Sequence, residues 1–208
     1  MKRLWFIFLM LVVVFSSCRD SVQDECVYAP NIESVNVTLQ FESLESQLPA
    51  ITSKQQLIEF FSSRIAMRDY FFNRGAYPSD SAFINELYNR FTNPHLDTLL
   101  METQKVFGDG AQLKQELTVA FSNLKYYYPD FKLPKVQTVI SGLENDMFMS
   151  DSVIVISLDY YIGKGSRYRP NMYEYMLRRY EKDFILVGAG TRDLFRSVTD
   201  EYAVGCAR

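Results

Sequence analysis

Hydrophobic and polar positions follow three rhythms along this chain, and each change of rhythm marks an element. Residues 4–15 are apolar without interruption, and residues 19–30 are polar without period. Val35, Val37, Leu39 and Phe41 then alternate with Asn36, Thr38, Gln40 and Glu42, the period-two pattern of a half-buried strand. A helical period follows. Ser53 with Gln56 three positions on reads as a capping box, opening a helix through Leu57, Phe60, Phe61, Ile65 and Arg68 to about Phe72. Pro78-Ser79-Asp80 opens a second helix on Phe83, Leu87 and Phe91, and Asn93-Pro94 ends it. A third carries Leu96, Leu99, Leu100 and Val106 up to the turn Gly108-Asp109-Gly110. Leu113, Leu117, Ala120, Phe121, Leu124 and Tyr128 make the cleanest amphipathic helix.

The period then returns to two. Pro129 and Pro134 bracket an extended connection into a strand with Val136, Thr138 and Ile140. Glu144-Asn145-Asp146 is a turn. Val153 to Ile156 leads into Leu158, a strand apolar on both faces and therefore central. The polar loop from Gly163 to Pro170 precedes a helix with Tyr173, Leu177 and Tyr180, and Phe184 to Val187 reads as strand followed by helix. One strand, several helices, two strands and a mixed end predict an α+β fold, a helical region followed by a small sheet. There is no internal repeat.

The amino-terminal pattern bears on location. Lys2 and Arg3, the apolar run Leu4 to Phe15 and the small residues Ser16-Ser17 are the parts of a secretory signal. The run is too short for a bilayer core, which takes roughly 20 helical residues. Phe15-Ser16-Ser17-Cys18 resembles the bacterial lipobox. That resemblance implies lipid attachment at Cys18, which then becomes the mature amino terminus. Each buried methylene adds about 0.8 kcal/mol, so two or three acyl chains hold where one alone is marginal. The domains are then a lipoprotein signal peptide at 1–17, a tether at 18–30 and a single α+β domain at 31–208. Asp24-Glu25 gives the tether an acidic spot of the kind that favours surface display in some Bacteroidota.

Composition narrows the function. The 208 residues are 48% hydrophobic and 23% charged, which is globular and excludes wholesale disorder. A net charge of -3 gives no support for nucleic-acid binding. Removing residues 1–17 takes Lys2 and Arg3, leaving 20 basic against 25 acidic residues and a balance of -5. It also takes Trp5, the only tryptophan. Cys26 and Cys206 remain, and an exporting compartment permits their pairing.

The stretch from Tyr126 to Gly163 carries a more specific signal. Tyr127-Tyr128-Pro129-Asp130-Phe131 leads to Pro134-Lys135-Val136, and later Val153-Ile154-Val155-Ile156 runs into Leu158-Asp159-Tyr160-Tyr161-Ile162-Gly163. This resembles the gliding-motility lipoprotein GldB family of Bacteroidota, in which an aromatic-Pro-Asp-Phe element precedes one strand and a later strand ends in Leu-Asp-x-Tyr-x-Gly. The resemblance covers residues 18–185. It implies a lipid-anchored cell-envelope protein, held at the outer membrane on its periplasmic face. Its role would be non-enzymatic support of gliding or associated secretion machinery through envelope protein partners. It also implies a fold distantly similar to zincin peptidases, here without a catalytic helix. Family chains usually continue further, and the text after Val187 departs from the pattern, as in a truncated or frame-shifted member.

Candidate chemistry is sparse, and neither a catalytic residue nor a cofactor is expected. No His-Glu-x-x-His helix exists, and the single histidine, His95, reads as a surface or capping residue. Asp146, Asp151 and Asp159 lack the spacing of a calcium loop. Gly188-Ala189-Gly190 lacks the third glycine of a dinucleotide loop. Asp159 and Tyr160 read as closing a strand end by hydrogen bonds. Lys164, Arg167, Arg169, Arg178, Arg179 and Lys182 form a basic island among tyrosines. It reads first as a solvated helix face beside a core seam, and otherwise as a surface for anionic headgroups, polysaccharide or an acidic partner. The alternatives to the envelope-support role are a zincin-related hydrolase fragment and a carbohydrate- or peptide-binding module.

Overall fold

A computed structural model describes Ile32 and residues 34–188. The signal segment, Cys18, the tether, the Cys26 and Cys206 pair and most of Gly188-Ala189-Gly190 lie outside the described residues.

The sheet contains β1 (Phe41–Ser43), β2 (Lys135–Val139), β3 (Met147–Met149) and β4 (Val153–Ser157), in the order β1-β2-β4-β3. β1 runs parallel to β2 with Phe41 opposite Val136, and β2 parallel to β4 with Val136 opposite Ile154. β3 pairs antiparallel to β4, with Met147 opposite Ile156. The apolar run at 153–157 is thus an interior strand, as predicted. The alternation from Val35 is real, with Leu39 buried and its even-numbered neighbours exposed. Ladder pairing, however, is confined to 41–43, preceded by one bond from the Val136 amide to the Gln40 carbonyl (2.8 Å). β3 was not predicted. Its three residues are too few to show a period.

Between β1 and β2 stand four helices: α1 (Lys54–Ser62), α2 (Asp80–Phe91), α3 (His95–Phe107) and α4 (Ala111–Tyr127). The capping box of α1 is present in full. Ser53 Oγ accepts from the Gln56 amide at 3.2 Å, and Gln56 Oε1 accepts from the Ser53 amide at 3.2 Å. α1 does not continue to Phe72. It stops at Ser63, and a separate π-helical turn (Met67–Phe71) follows. The wider turn buries Met67, Phe71 and Phe72 together and leaves Ile65 57% exposed. Ser79 Oγ caps α2 through the Ala82 amide, and Asn93 Oδ1 accepts from the His95 amide at the start of α3.

These elements cover both faces of the sheet. α1, α2, α3 and the π turn pack on Val139 and Val155. α4 packs on Val136, Ile154, Ile156 and Leu158, with Ile185 filling the same layer. Burial on both faces explains why β4 reads as a near-continuous apolar run. The fold is α+β. The segment at Phe184–Val187 is not a strand. A 3-10 turn (Lys182–Phe184) continues into helical residues 185–188. A strand would put Ile185 and Val187 on one face, whereas Ile185 is fully buried and Val187 is 46% exposed.

Candidate functional site

The Leu-Asp-Tyr-Tyr-Ile-Gly stretch begins where β4 ends, as a 3-10 turn (Leu158–Tyr161). Asp159 is completely buried. Its Oδ2 accepts from the Leu143 amide at 2.7 Å, and its Oδ1 accepts from the Ser141 amide at 3.1 Å and from Ser157 Oγ. Burial pushes this carboxyl up, while the Ser157 hydroxyl and the Leu143 and Ser141 amides pull it the other way. The clamped loop is tight. Gly142 has φ +80°, and a Cβ there would meet Arg90 Cδ at 3.3 Å. Leu143 also holds a left-handed conformation, φ +63°, costly for a bulky residue. Ser141 Oγ accepts from the Glu144 and Asn145 amides and donates to the Asn145 carbonyl. Asp159 therefore fixes the β2–β3 turn to the end of β4, the strand-closing role read from the sequence. Its oxygens are occupied by internal donors, so it presents no free carboxylate.

The other sequence candidates do not converge. Asp146 Oδ1 accepts from the Met147 amide, and Asp151 and His95 are exposed. Among the described residues, no group of three or more His, Cys, Asp or Glu side chains comes together as metal ligands would.

Sequence reading missed two polar features at the carboxyl end of β1. Glu42 gathers Arg64 (2.6 Å), Lys135 (2.6 Å) and Gln137 (2.7 Å). Partial burial raises its pKa, but the bonds from Lys135, Gln137 and Arg64 outweigh this and hold it at about 2. Beyond it, Glu45 borders a 210 Å³ pocket with Ser43, Thr103, Asp109, Gly110 and Leu158. Burial pushes the Glu45 carboxyl up, and its Oε1 makes no hydrogen bond within the described residues. Parallel strands place ligands at their carboxyl ends, and this is where the pocket lies. A larger groove of 530 Å³ runs between α1 and α2, floored by Ile58, Phe61, Phe83 and Ile84. Side-chain convergence from separate elements forms both, so no local motif announces them.

The basic island is split by the fold. Its core side is a tyrosine seam. Tyr180 packs edge-on against Tyr160 at 5.0 Å and lies against Tyr161 at 5.8 Å. Burial pushes the Tyr160 hydroxyl up to about 12 and raises Tyr161 as well, so both stay neutral. An amide–carbonyl bond from Gly163 to Tyr180 and the bridge between Ile162 and Glu181 hold the segment down. Its outer side includes a short helix, α5 (Glu174–Leu177), followed by a 3-10 turn (Arg178–Tyr180). All six basic residues are exposed there. Tyr173 and Tyr175 are 74% and 78% exposed and stack on one another at 5.9 Å. Acidic contacts are long, Lys164 to Glu181 at 3.7 Å and Arg169 to Glu174 at 3.8 Å, and exposed pairs of this kind hold weakly. Arg178, Arg179 and Lys182 make no salt bridge among the described residues. The fold gives the solvated face beside a core seam read first from the sequence: tyrosine core within, exposed cations and two tyrosines without.

No helix among the described residues is long and apolar enough to cross a membrane. Comparison with curated proteins gives no match, and comparison with solved structures gives none. A family model described as gliding motility protein GldB matches residues 25–199. The match spans the helical block, the sheet and the Leu-Asp-Tyr-Tyr-Ile-Gly turn, and it runs past residue 185, where the motif resemblance ends. The chain belongs to the GldB gliding-motility family.

Proposed function

We propose that this protein is anchored by acyl chains on Cys18 in the cell envelope, where it supports gliding or an associated secretion machinery through protein contacts and without catalysis. The observation that carries the reading is the family match over residues 25–199. The Phe15-Ser16-Ser17-Cys18 lipobox supports the anchor, because it supplies a membrane attachment that needs no spanning helix. The non-catalytic role is supported by Asp159, whose carboxylate is spent on holding a turn. The location proposed with this role is the outer membrane, on its periplasmic face.

The test is metabolic acyl labelling of wild type and Cys18→Ala, followed by fractionation, with colony spreading of a deletion strain carrying either copy. The wild type takes label, partitions with membranes, lacks the Trp5 emission after processing and restores spreading. The variant takes no label and does not restore it. Label persisting on Cys18→Ala overturns the attachment site. Spreading that survives deletion of the gene in a gliding host overturns the role.

A further inference from the structure

We infer that the outer face of residues 164–183 lies flat against anionic lipid headgroups and so orients the domain on its membrane; this rests on the acyl anchor proposed above. The charge distribution is the first argument. The segment has six basic residues, Lys164, Arg167, Arg169, Arg178, Arg179 and Lys182, against the three acids Glu174, Glu181 and Asp183. Its balance is therefore +3 in a chain of net charge -3. An anionic surface steers an acidic protein that carries a cationic patch toward presenting that patch. Three of the cations, Arg178, Arg179 and Lys182, are exposed and have no carboxylate partner among the described residues.

The second argument is shape. The crevice beneath this face, between Tyr160, Arg169, Pro170 and Tyr180, is too narrow to hold a water molecule. A sugar ring or a peptide side chain needs a concavity, and a headgroup plane does not. Tyr173 and Tyr175 stand out among the cations with an apolar ring and a polar hydroxyl, the amphipathic character that enriches tyrosine at membrane–water interfaces.

The third argument is reach. Only 14 peptide steps separate Cys18 from Ile32, the first described residue. At most about 50 Å of chain is available even when fully extended. A domain of this size has a radius of gyration of roughly 15 Å, so its surface is never far from the bilayer. At so high an effective concentration a weak contact suffices.

The test uses full-length protein in a Trp5→Phe background, with Tyr173→Trp or Tyr175→Trp as the sole indole. Protein recovered from host membranes is reconstituted into vesicles of brominated phosphatidylcholine, alone or with one-third phosphatidylglycerol. The inference expects a blue-shifted, quenched indole only with phosphatidylglycerol. The signal should be lost at about 0.5 M salt, where screening confines charge effects to about 4 Å. Arg178→Glu with Arg179→Glu should weaken it on the order of 10-fold or more. Protein that does not float with the vesicles overturns the acyl anchor, and the inference with it. Protein that floats with an unquenched indole overturns the inference alone, as does quenching that ignores lipid charge. A shift produced by soluble polygalacturonate and not by phosphatidylglycerol assigns the face to glycan and also overturns it.

Discussion

Arg64 shows how one side chain sets a boundary that the local sequence does not announce. Hydrophobic spacing alone carries α1 on toward Phe72. Arg64 instead turns its guanidinium back, donating to the Phe60 carbonyl at 2.9 Å and to Glu42 at 2.6 Å across 22 residues. A cation at the carboxyl end of a helix also complements its dipole. The helix end was therefore illegible, because the partner lies in another element. The Glu42 node gives a pH prediction. Its carboxyl ionises at about 2 in the folded protein against an ordinary value of 4.5. A lowered carboxylate pKa stabilises the fold above the unfolded value, and that contribution is lost as pH falls from about 4.5 toward 2. Solvent reaches the side chain, which is 26% exposed, and screening reduces the effect to about 1–2 kcal/mol. Glu42→Gln should lower stability by that amount at pH 6 and shed about that much less than wild type as pH falls from 4.5 to 2. Urea unfolding at pH 6 and pH 3 checks this, and parallel acid limbs for the two proteins would refute it. Asp159, raised by burial, contributes with the opposite sign.

Among elements, the helices were the legible part because each carries its own start signal and period. Ser53 with Gln56, Ser79 before Asp80, and Asn93-Pro94 before His95 all mark real boundaries. Ser53→Ala removes an acceptor for the Gln56 amide and should cost about 1 kcal/mol, read as a lowered urea midpoint at unchanged slope. A variant as stable as wild type would mean that water replaces the cap without loss. The short strands were less legible. The first strand offers a convincing alternation over eight positions, 35–42, but pairs over three residues, because the ladder with β2 reaches only from Phe41 to Ser43. β3 is an edge formed by Met147, Phe148 and Met149, fixed by its neighbour β4 and by Phe148 stacking on Tyr70 at 5.5 Å. The β4 partners lie only five to nine residues along the chain, whereas Tyr70 comes from a distant element. The short run Phe184–Val187 is apolar enough for a strand, and burial of Ile185 against the α4 layer decides for a helical turn.

At the scale of the molecule, composition and element order were enough for the α+β class, whereas strand order and the candidate surfaces depend on contacts between distant segments. The Glu45 pocket and the groove between α1 and α2 arise from packing that no spacing rule encodes, whereas the exposed tyrosine pair is only two residues apart and belongs to the island read from the sequence. The two hydrophobic layers meet through one sheet: Val155 faces the α1–α3 side and Ile154 the α4 side of the same strand. Both layers should therefore melt together as one domain. Leu87→Ala, on the first side, and Leu117→Ala, on the second, should each lower a single shared transition by about 2–5 kcal/mol, followed in parallel by circular dichroism and tyrosine fluorescence. Two separated transitions would show independent units. The topology has a mechanical corollary. β1 is the first strand among the described residues and an edge of the sheet, joined to β2 by a short parallel ladder and flanked by the buried Leu39, Leu44 and Leu48. Any tug arriving from the amino-terminal end is thus delivered to the sheet's rim, where three leucines act as barbs and the helical block behind them bears the load only after those barbs slip.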